Sequence, residues 1–266
     1  MSDACRWLLR RWIERQTTKE AVSWLEVRLA DLAALPPGDP AFDRQLTLAF
    51  ARIPRMLGRA DLVLTPADLA EAEMVRPGWM PAGWCLDGAA RVLLMLGPAM
   101  QDGDTFAARF RRLRQMADPA EQVALFRGLP LYPHSDALED EAGEGLRSNM
   151  RPVFEAIAHR NPYPREVFGQ HRWNHMVLKA LFVDSALAPI QGLDERRNLE
   201  LAVILRDYAR ERRAAGRPVS PELWHCVAPF AAAADALDDL VRAQASGDAD
   251  ERTAATAALA FNERTT

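Results

Sequence analysis

The chain has 266 residues, of which 33 are basic and 37 are acidic, so its formal net charge at pH 7 is −4. Hydrophobic residues make up 49% of the sequence and charged residues 26%, which is typical of a soluble globular protein. This composition excludes a disordered chain, a collagen-like chain and a strongly basic nucleic-acid binder. Two of the basic residues, Lys19 and Lys179, are lysines, and the other 31 are arginines.

Apolar residues spaced about one helical turn apart predict an all-α protein of about eleven helices, followed by a last, Ala-rich helix. Five residues that favour helix N-caps predict where helices begin, and a proline directly follows four of the five. The signals lie at Thr17, Asp39, Thr65, Asp118 and Ser220. The predicted helices span 3–16, 18–34, 40–57, 66–75, 86–97, 104–116, 119–129, 136–159, 171–184, 194–214, 220–244 and 249–262. A break is expected near Gly143 to Gly145.

The helix lengths and the short, proline-bearing turns favour antiparallel neighbouring helices, in an irregular helical bundle or an α–α superhelix of solenoid-like helix pairs. Two segments with an aromatic residue between prolines, LPLYP (129–133) and NPYP (161–164), hint at such pairs. We expect a single all-α domain over residues 1–266, with a possible subdivision near 76–85, which separates the N-terminal helices (1–75) from the rest. The Ala-rich terminal helix falls within 247–266.

The N-terminus indicates neither a signal peptide nor a transmembrane segment, because charges interrupt every apolar run. Three widely separated cysteines, Cys5, Cys85 and Cys226, argue against disulfides and favour a reducing, cytoplasmic location. The first helix is basic and carries Trp7 and Trp12. We expect both tryptophans in the core; the alternative is a helix that lies on a membrane surface.

The sequence lacks the common catalytic, nucleotide-binding and metal-binding motifs. His171 and His175 are four residues apart and face the same side of a helix, but two ligands do not make a metal site. We therefore predict neither a metal nor another cofactor. A cluster of arginines in the predicted helix 104–116 is expected to pair with nearby acids.

Lys179 is the most distinctive polar residue, because it interrupts the apolar run MVLKALFV (176–183) in a chain that otherwise uses arginine. A desolvated lysine can form a Schiff base, act as a base or hold an anion. The structural alternative is an extended side chain or an ion pair with a neighbouring acid. The candidate ligand-binding residues are Lys179, Asn174, Trp173, Asp194, Arg196, Asp207, Tyr208 and Arg217. Structural roles remain the alternative for several of them: Asp194 suits a helix N-terminus, Asp207 a helix-face ion pair and Tyr208 core packing.

Residues 118–230 resemble the EboA-domain family of bacterial proteins. The matching segments are AEQVALFRGLPLYP, NPYP, WN, MVLKALF, GLDER, DYA, AGR, PELW and PF. Two positions depart from the family pattern: His175 replaces a glutamine and Arg210 replaces a histidine.

The resemblance implies a pathway setting and no defined reaction. Family members resemble components of a gene cluster that also encodes a prenyltransferase-like membrane protein, a TatD-type hydrolase and a sugar-isomerase-like barrel. The cluster is associated with making a secondary-metabolite precursor or moving it out of the cytoplasm. The expected role is an adaptor or small-molecule-binding component, whose partners are other proteins of the cluster or the precursor, with no nucleic acid. The alternative is an enzyme that acts on a small precursor, with Lys179 in a polar pocket.

Overall fold

The computed structural model describes residues 2–36, 39–97 and 103–265. Within these residues the regular structure is helical, apart from one isolated bridge between Asp61 and Cys85. The predicted all-α fold class is therefore confirmed. The α-helices of the described residues are α1 (Ser2–Glu14), α2 (Lys19–Ala34), α3 (Pro40–Leu57), α4 (Pro66–Val75), α5 (Leu86–Met95), α6 (Gly103–Met116), α7 (Pro119–Arg127), α8 (Glu139–Leu146), α9 (Arg151–Ala158), α10 (Tyr163–Val167), α11 (Gln170–Phe182), α12 (Leu199–Ala214), α13 (Leu223–Val227), α14 (Leu237–Gln244) and α15 (Ala249–Thr265).

The chain forms two compact units, Met1–Val167 (unit 1) and Phe168–Thr266 (unit 2). The segment 76–85, where the sequence suggested a possible subdivision, lies inside unit 1. Trp79 and Trp84 of this segment are buried, and their ring centroids are 6.1 Å apart. The segment is thus part of the packing of unit 1, because its two tryptophans remove large apolar surfaces from water.

The two tryptophans of α1 have different environments, contrary to the expectation that both lie in the core. Trp12 is fully buried and its indole N–H donates to Asp68 at 2.9 Å, whereas Trp7 is 54% exposed. Five residues on a helix span a rotation of about 500°, so the two side chains point about 140° apart and cannot both face the core. The Arg11 guanidinium lies 4.4 Å from the centroid of the Trp7 ring. The membrane-surface role of α1 stays a prediction.

Three of the predicted capping signals act as the sequence indicates. The side chains of Asp39, Thr65 and Asp118 each accept a backbone N–H in the first turn of the helix that follows. The first signal was predicted one residue too early, because Thr18 and not Thr17 caps α2.

The fifth signal, at Ser220, is wrong. The helix that follows begins only at Leu223, and its N-cap residue makes no side-chain capping bond. The predicted helix 220–244 is divided into α13, a short 3-10 helix and α14.

The predicted helix 136–159 is divided into α8 and α9, which confirms the expected break; it follows Leu146, one residue beyond Gly145. Gly145 lies inside α8. A Cβ atom at this position would come within 2.3 Å of the Phe126 ring, so the glycine allows close packing and does not end the helix.

The arginines of α6 pair with acids, as predicted. Arg111 and Arg114 both reach the buried Glu141, at 2.5 and 2.7 Å, and Arg109 lies 3.0 Å from Asp43. These ion pairs therefore connect α6 with α8 and with α3. None of the helices in the described part of the chain is long and apolar enough to span a membrane.

Candidate functional site

Seven of the eight predicted site residues lie on α11, on α12 and on the loop between these helices, and Arg217 follows the end of α12; all eight are within unit 2. Asn174, near the start of α11, contacts Asn198 beside the start of α12. The carbonyl of Leu181, near the end of α11, accepts from Tyr208 in the middle of α12 at 3.3 Å. The two helices therefore run in the same direction, and the loop carries the chain back to the start of α12.

Asn174 is a buried structural group whose hydrogen bonds join the two helices. Its amide donates to Asn198 at 3.3 Å and to Glu200 at 3.2 Å, and its carbonyl accepts from Asn198 at 2.9 Å. Asn198 also accepts the backbone N–H of Leu201 at 2.8 Å, which makes it the N-cap of α12. The prediction that a helix begins at Asp194 is thus wrong, because the residue that satisfies the first turn lies four positions later.

Trp173 and Arg196 form a stacked pair beside this network. The Trp173 side chain is fully buried, and the Arg196 guanidinium lies 4.7 Å from its ring centroid. Burial lowers the pKa of Arg196. The Trp173 indole N–H has no hydrogen-bond partner among the described residues. Because that N–H is buried, the pair contributes stacking rather than a polar contact with solvent.

Lys179 lies apart from this group, on another side of α11. Lys179 lies six positions after Trp173 and five after Asn174, which places it about 120° and about 140° around the helix from them. Its side chain is half-buried, and burial lowers the pKa of the ammonium group. The helix does not bring Lys179 to the Asn174 network.

The two predicted aspartates are exposed and form local ion pairs. Asp194 lies 2.5 Å from Nε2 of His225 and 3.5 Å from Arg197, and Asp207 lies 2.7 Å from Arg206. Tyr208 is buried, and the edge of its ring packs against Phe182 at a centroid distance of 5.1 Å. These three predicted residues are thus held by their immediate neighbours and do not converge on one point.

The last predicted residue, Arg217, lines an open cleft in unit 2, which we call the unit 2 cleft. The cleft has a volume of about 370 Å³ and lies where the chain following α12 meets the end of α14 and the start of α15. Its lining includes Arg213, Arg217, Val219, Arg242, Ser246 and Glu251.

Ion pairs fix the inner wall of the unit 2 cleft. Arg213 donates to Glu251 at 2.8 Å and lies 3.5 Å from the buried Asp239. The Arg213 guanidinium also lies 5.1 Å from the Trp224 ring centroid. Side chains held in this way lose little conformational entropy when a ligand binds, which favours binding.

Sequence reasoning did not identify Arg213, Arg242, Asp239 and Glu251. A signal for part of this group exists, because Arg206, Arg210 and Arg213 follow the i, i+4, i+7 spacing of one helix face. The acids of 235–251 that meet this face are distant in sequence, so the pattern does not reveal which partners it meets.

Unit 1 has a second cleft of about 350 Å³ between α2 and α3, with Arg28, Leu32, Gln45, Leu48 and Arg52 in its lining. Arg28 is paired with Asp31 at 2.8 Å. In the described part of the chain, no three histidine, cysteine or acidic residues are grouped so that they could hold a metal ion. His171 and His175 lie close together, with ring centroids 4.3 Å apart.

A family model described as "Metabolite traffic protein EboA" matches residues 5–228 of the chain. The match therefore extends well beyond the segment 118–230 in which the sequence resemblance was found, and includes most of unit 1. No curated protein and no solved structure matches the chain.

Proposed function

Because this chain belongs to the EboA family, we propose that it binds a small metabolite without transforming it. The observation that carries the proposal is the unit 2 cleft, whose volume of about 370 Å³ falls within the range of small-molecule sites. Its inner wall is held by the ion pair between Arg213 and Glu251. The description of the family as a metabolite traffic protein supports this role.

The chemistry of the cleft supports binding over catalysis. The described residues of its lining include no histidine, cysteine or lysine. Ser246 is the one hydroxyl-bearing residue among them, and its Oγ accepts the backbone N–H of Asp248 at 3.2 Å. A serine nucleophile needs an adjacent base. The cleft has two carboxylates: that of Glu251 is occupied by Arg213, and that of Asp248 accepts the backbone N–H groups of Asp250 and Glu251, so we propose neither as that base.

The finer part of the proposal concerns the pathway. We infer that the metabolite is a precursor in secondary metabolism that is processed or exported, and that this protein works in the cytoplasm as an adaptor beside other proteins of the same gene cluster. Two open, arginine-bearing clefts, one in each unit, support an adaptor role, because an adaptor presents binding surfaces and does not enclose a reaction.

The test is direct capture of small molecules. Purified protein is dialysed against a small-molecule extract of the source cells, and the retained compounds are identified by mass spectrometry. We expect one compound to be retained at unchanged mass and to be lost in Ser246→Trp, which fills the cleft. Asp238→Trp, an exposed position on α14 outside the cleft, is the matched control and should retain the compound. Equal retention by both variants would contradict the proposal.

The alternative is an enzyme that uses Lys179, and one observation favours it: the half-buried ammonium has a lowered pKa. A lowered pKa makes a lysine a better nucleophile. Lys179→Met should then abolish conversion of the retained compound, whereas Lys179→Arg would not restore it, because arginine keeps its proton. Under the binding proposal, both variants retain the compound as the parent protein does. If a folded Lys179→Met variant converts the retained compound as the parent protein does, Lys179 has no chemical role.

A further inference from the structure

We propose that the unit 2 cleft recognises its ligand through an anionic group, a carboxylate or a phosphate, which Arg217 binds with Arg242 beside it. This inference rests on the proposed metabolite-binding function and adds the chemical class of the ligand. The inference depends on the ion pairs in and around the cleft, which occupy most of its acids but not Arg217.

Three arginines on one face of α12 each meet an acid, whereas Arg212 donates to the carbonyl of Pro218 at 3.0 Å and lies 6.0 Å from the Tyr208 ring centroid. Arg206 is paired with Asp207 at 2.7 Å, Arg210 with Asp239 at 2.8 Å, and Arg213 with Glu251 at 2.8 Å. Arg217, four residues beyond Arg213, comes next along the chain. In the described part of the chain, no carboxylate lies within 4.0 Å of its guanidinium, so its charge is not neutralised by an ion pair.

The carboxylates around the cleft are already engaged by other donors. Oδ1 of Asp248 accepts the backbone N–H groups of Asp250 and Glu251, at 2.8 and 2.9 Å, at the start of α15, and no donor among the described residues bonds its Oδ2. Glu251 binds Arg213, and the buried Asp239 is surrounded by Arg210, Arg213 and Arg242.

The second arginine of the proposed site is Arg242. It reaches Asp239 only at 3.8 Å, and its side chain is 66% exposed. The cleft therefore presents unused cationic donors and few unused acceptors, which is the chemistry that selects an anion.

The backbone that carries Arg217 is fixed by the end of α12. Gly216 has a φ of 64°, and its N–H donates to the carbonyl of Arg213 at 2.9 Å. The N–H of Arg217 donates to the carbonyl of Arg212 at 2.8 Å, which completes a Schellman motif. The backbone of Arg217 is thus held in a defined position at the edge of the cleft, and its exposed side chain extends from that position. A guanidinium can donate two parallel hydrogen bonds to a carboxylate or a phosphate, a geometry that a neutral group does not match.

The experiment compares acetate with acetamide, its neutral isostere, and adds inorganic phosphate. Each probe is titrated into the ¹⁵N-labelled full chain at constant ionic strength, and the amide signals of Gly216 and Gly247 are followed by NMR. We expect acetate and phosphate to shift these signals saturably, with acetamide at least about ten-fold weaker. Arg217→Gln should weaken the binding of both anions by about ten-fold. Arg59→Gln, at an exposed position in unit 1, should leave it unchanged.

Three results would overturn the inference: acetamide binds as well as acetate, Arg217→Gln binds the anions unchanged, or no anion shifts the two signals. If a metabolite is still captured in any of these cases, the proposed function stands and only the anionic class is wrong. If the anions bind as expected but no metabolite is captured, the site is confirmed as an anion site and the proposed function fails. A circular dichroism spectrum of Arg217→Gln establishes that the variant is folded.

Discussion

At the scale of single residues, Asp68 shows how one carboxylate can connect several elements of unit 1. One of its oxygens accepts from the Trp12 indole at 2.9 Å and the other from Arg15 at 2.8 Å. It also completes the capping box of α4 with Thr65. The hydrogen bond from Arg15, together with those from Thr65, holds the pKa of Asp68 well below its usual range although burial acts against this.

We expect Asp68→Asn to lower the free energy of unfolding by about 2 kcal/mol, because the buried Trp12 N–H, Arg15 and Arg11, which lies 3.4 Å from Asp68, lose a charged acceptor. Urea unfolding followed by circular dichroism measures this change. Asp3→Asn is the matched control, since Asp3 also pairs with an arginine of α1 but its side chain is 96% exposed. A loss of similar size in both variants would show that Asp68 has no special role.

The lowered pKa of Asp68 also predicts a dependence on pH. The carboxylate contributes its stability fully above its unfolded pKa of about 4, and the contribution is lost as the pH falls towards the lower pKa of the folded state. The difference in unfolding free energy between the parent protein and Asp68→Asn should therefore shrink between about pH 5 and pH 3. Urea unfolding at several pH values tests this; a constant difference across that range would contradict it.

At the scale of secondary-structure elements, the junction of α11 and α12 depends on a hydrogen-bond network that begins at the N-cap. Asn198 both caps α12 through Leu201 and exchanges amide hydrogen bonds with the buried Asn174. The cap is a local interaction, whereas the bonds with Asn174 join residues 24 positions apart. One side chain therefore sets both where α12 begins and which helix it contacts.

Two substitutions separate these two contributions. Asn198→Ser retains a capping oxygen but loses the amide that bonds Asn174, and Asn198→Ala loses both. We expect Asn198→Ala to cost about 2 kcal/mol of unfolding free energy and Asn198→Ser to cost about half of that. Chemical denaturation measures both values. If serine restores the full stability of the parent protein, the bonds with Asn174 contribute nothing measurable.

At the scale of the whole molecule, all three cysteines are free and none is fully exposed. Cys5 and Cys226 are buried, and Cys85 is half-buried. Burial raises the pKa of Cys5 to about 11 and that of Cys226 to about 12, and burial together with Asp87 raises that of Cys85. The reactive thiolate is therefore scarce at neutral pH in both units.

We expect the native protein to react slowly with Ellman's reagent at pH 7.5 and to show three reactive thiols once it is unfolded in guanidinium. Cys85 should react first, because it is the most exposed of the three. Cys85→Ser should then remove the fastest phase and leave two slow thiols. Rapid native labelling of Cys5 or Cys226 would contradict the packing described for these residues.

The sequence by itself determined the helical class, most helix boundaries in unit 1 and the family. These properties depend on local physics, because an apolar repeat of 3.6 residues and a capping side chain act within one or two turns. Packing can shift a boundary that local signals indicate, as at Gly145, which makes room for Phe126 so that α8 continues to Leu146.

Only the tertiary structure decided which residues share a site. The sequence places Arg217 among the same candidate ligand-binding residues as Lys179, but Arg217 lies in a cleft with Arg242 and Glu251, which are 25 and 34 residues further along the chain. Ion pairs between residues so distant in sequence form only when α12, α14 and α15 pack together. The sequence therefore identified Arg217 as a candidate binding residue, and the packing of these helices determined that it lines the unit 2 cleft.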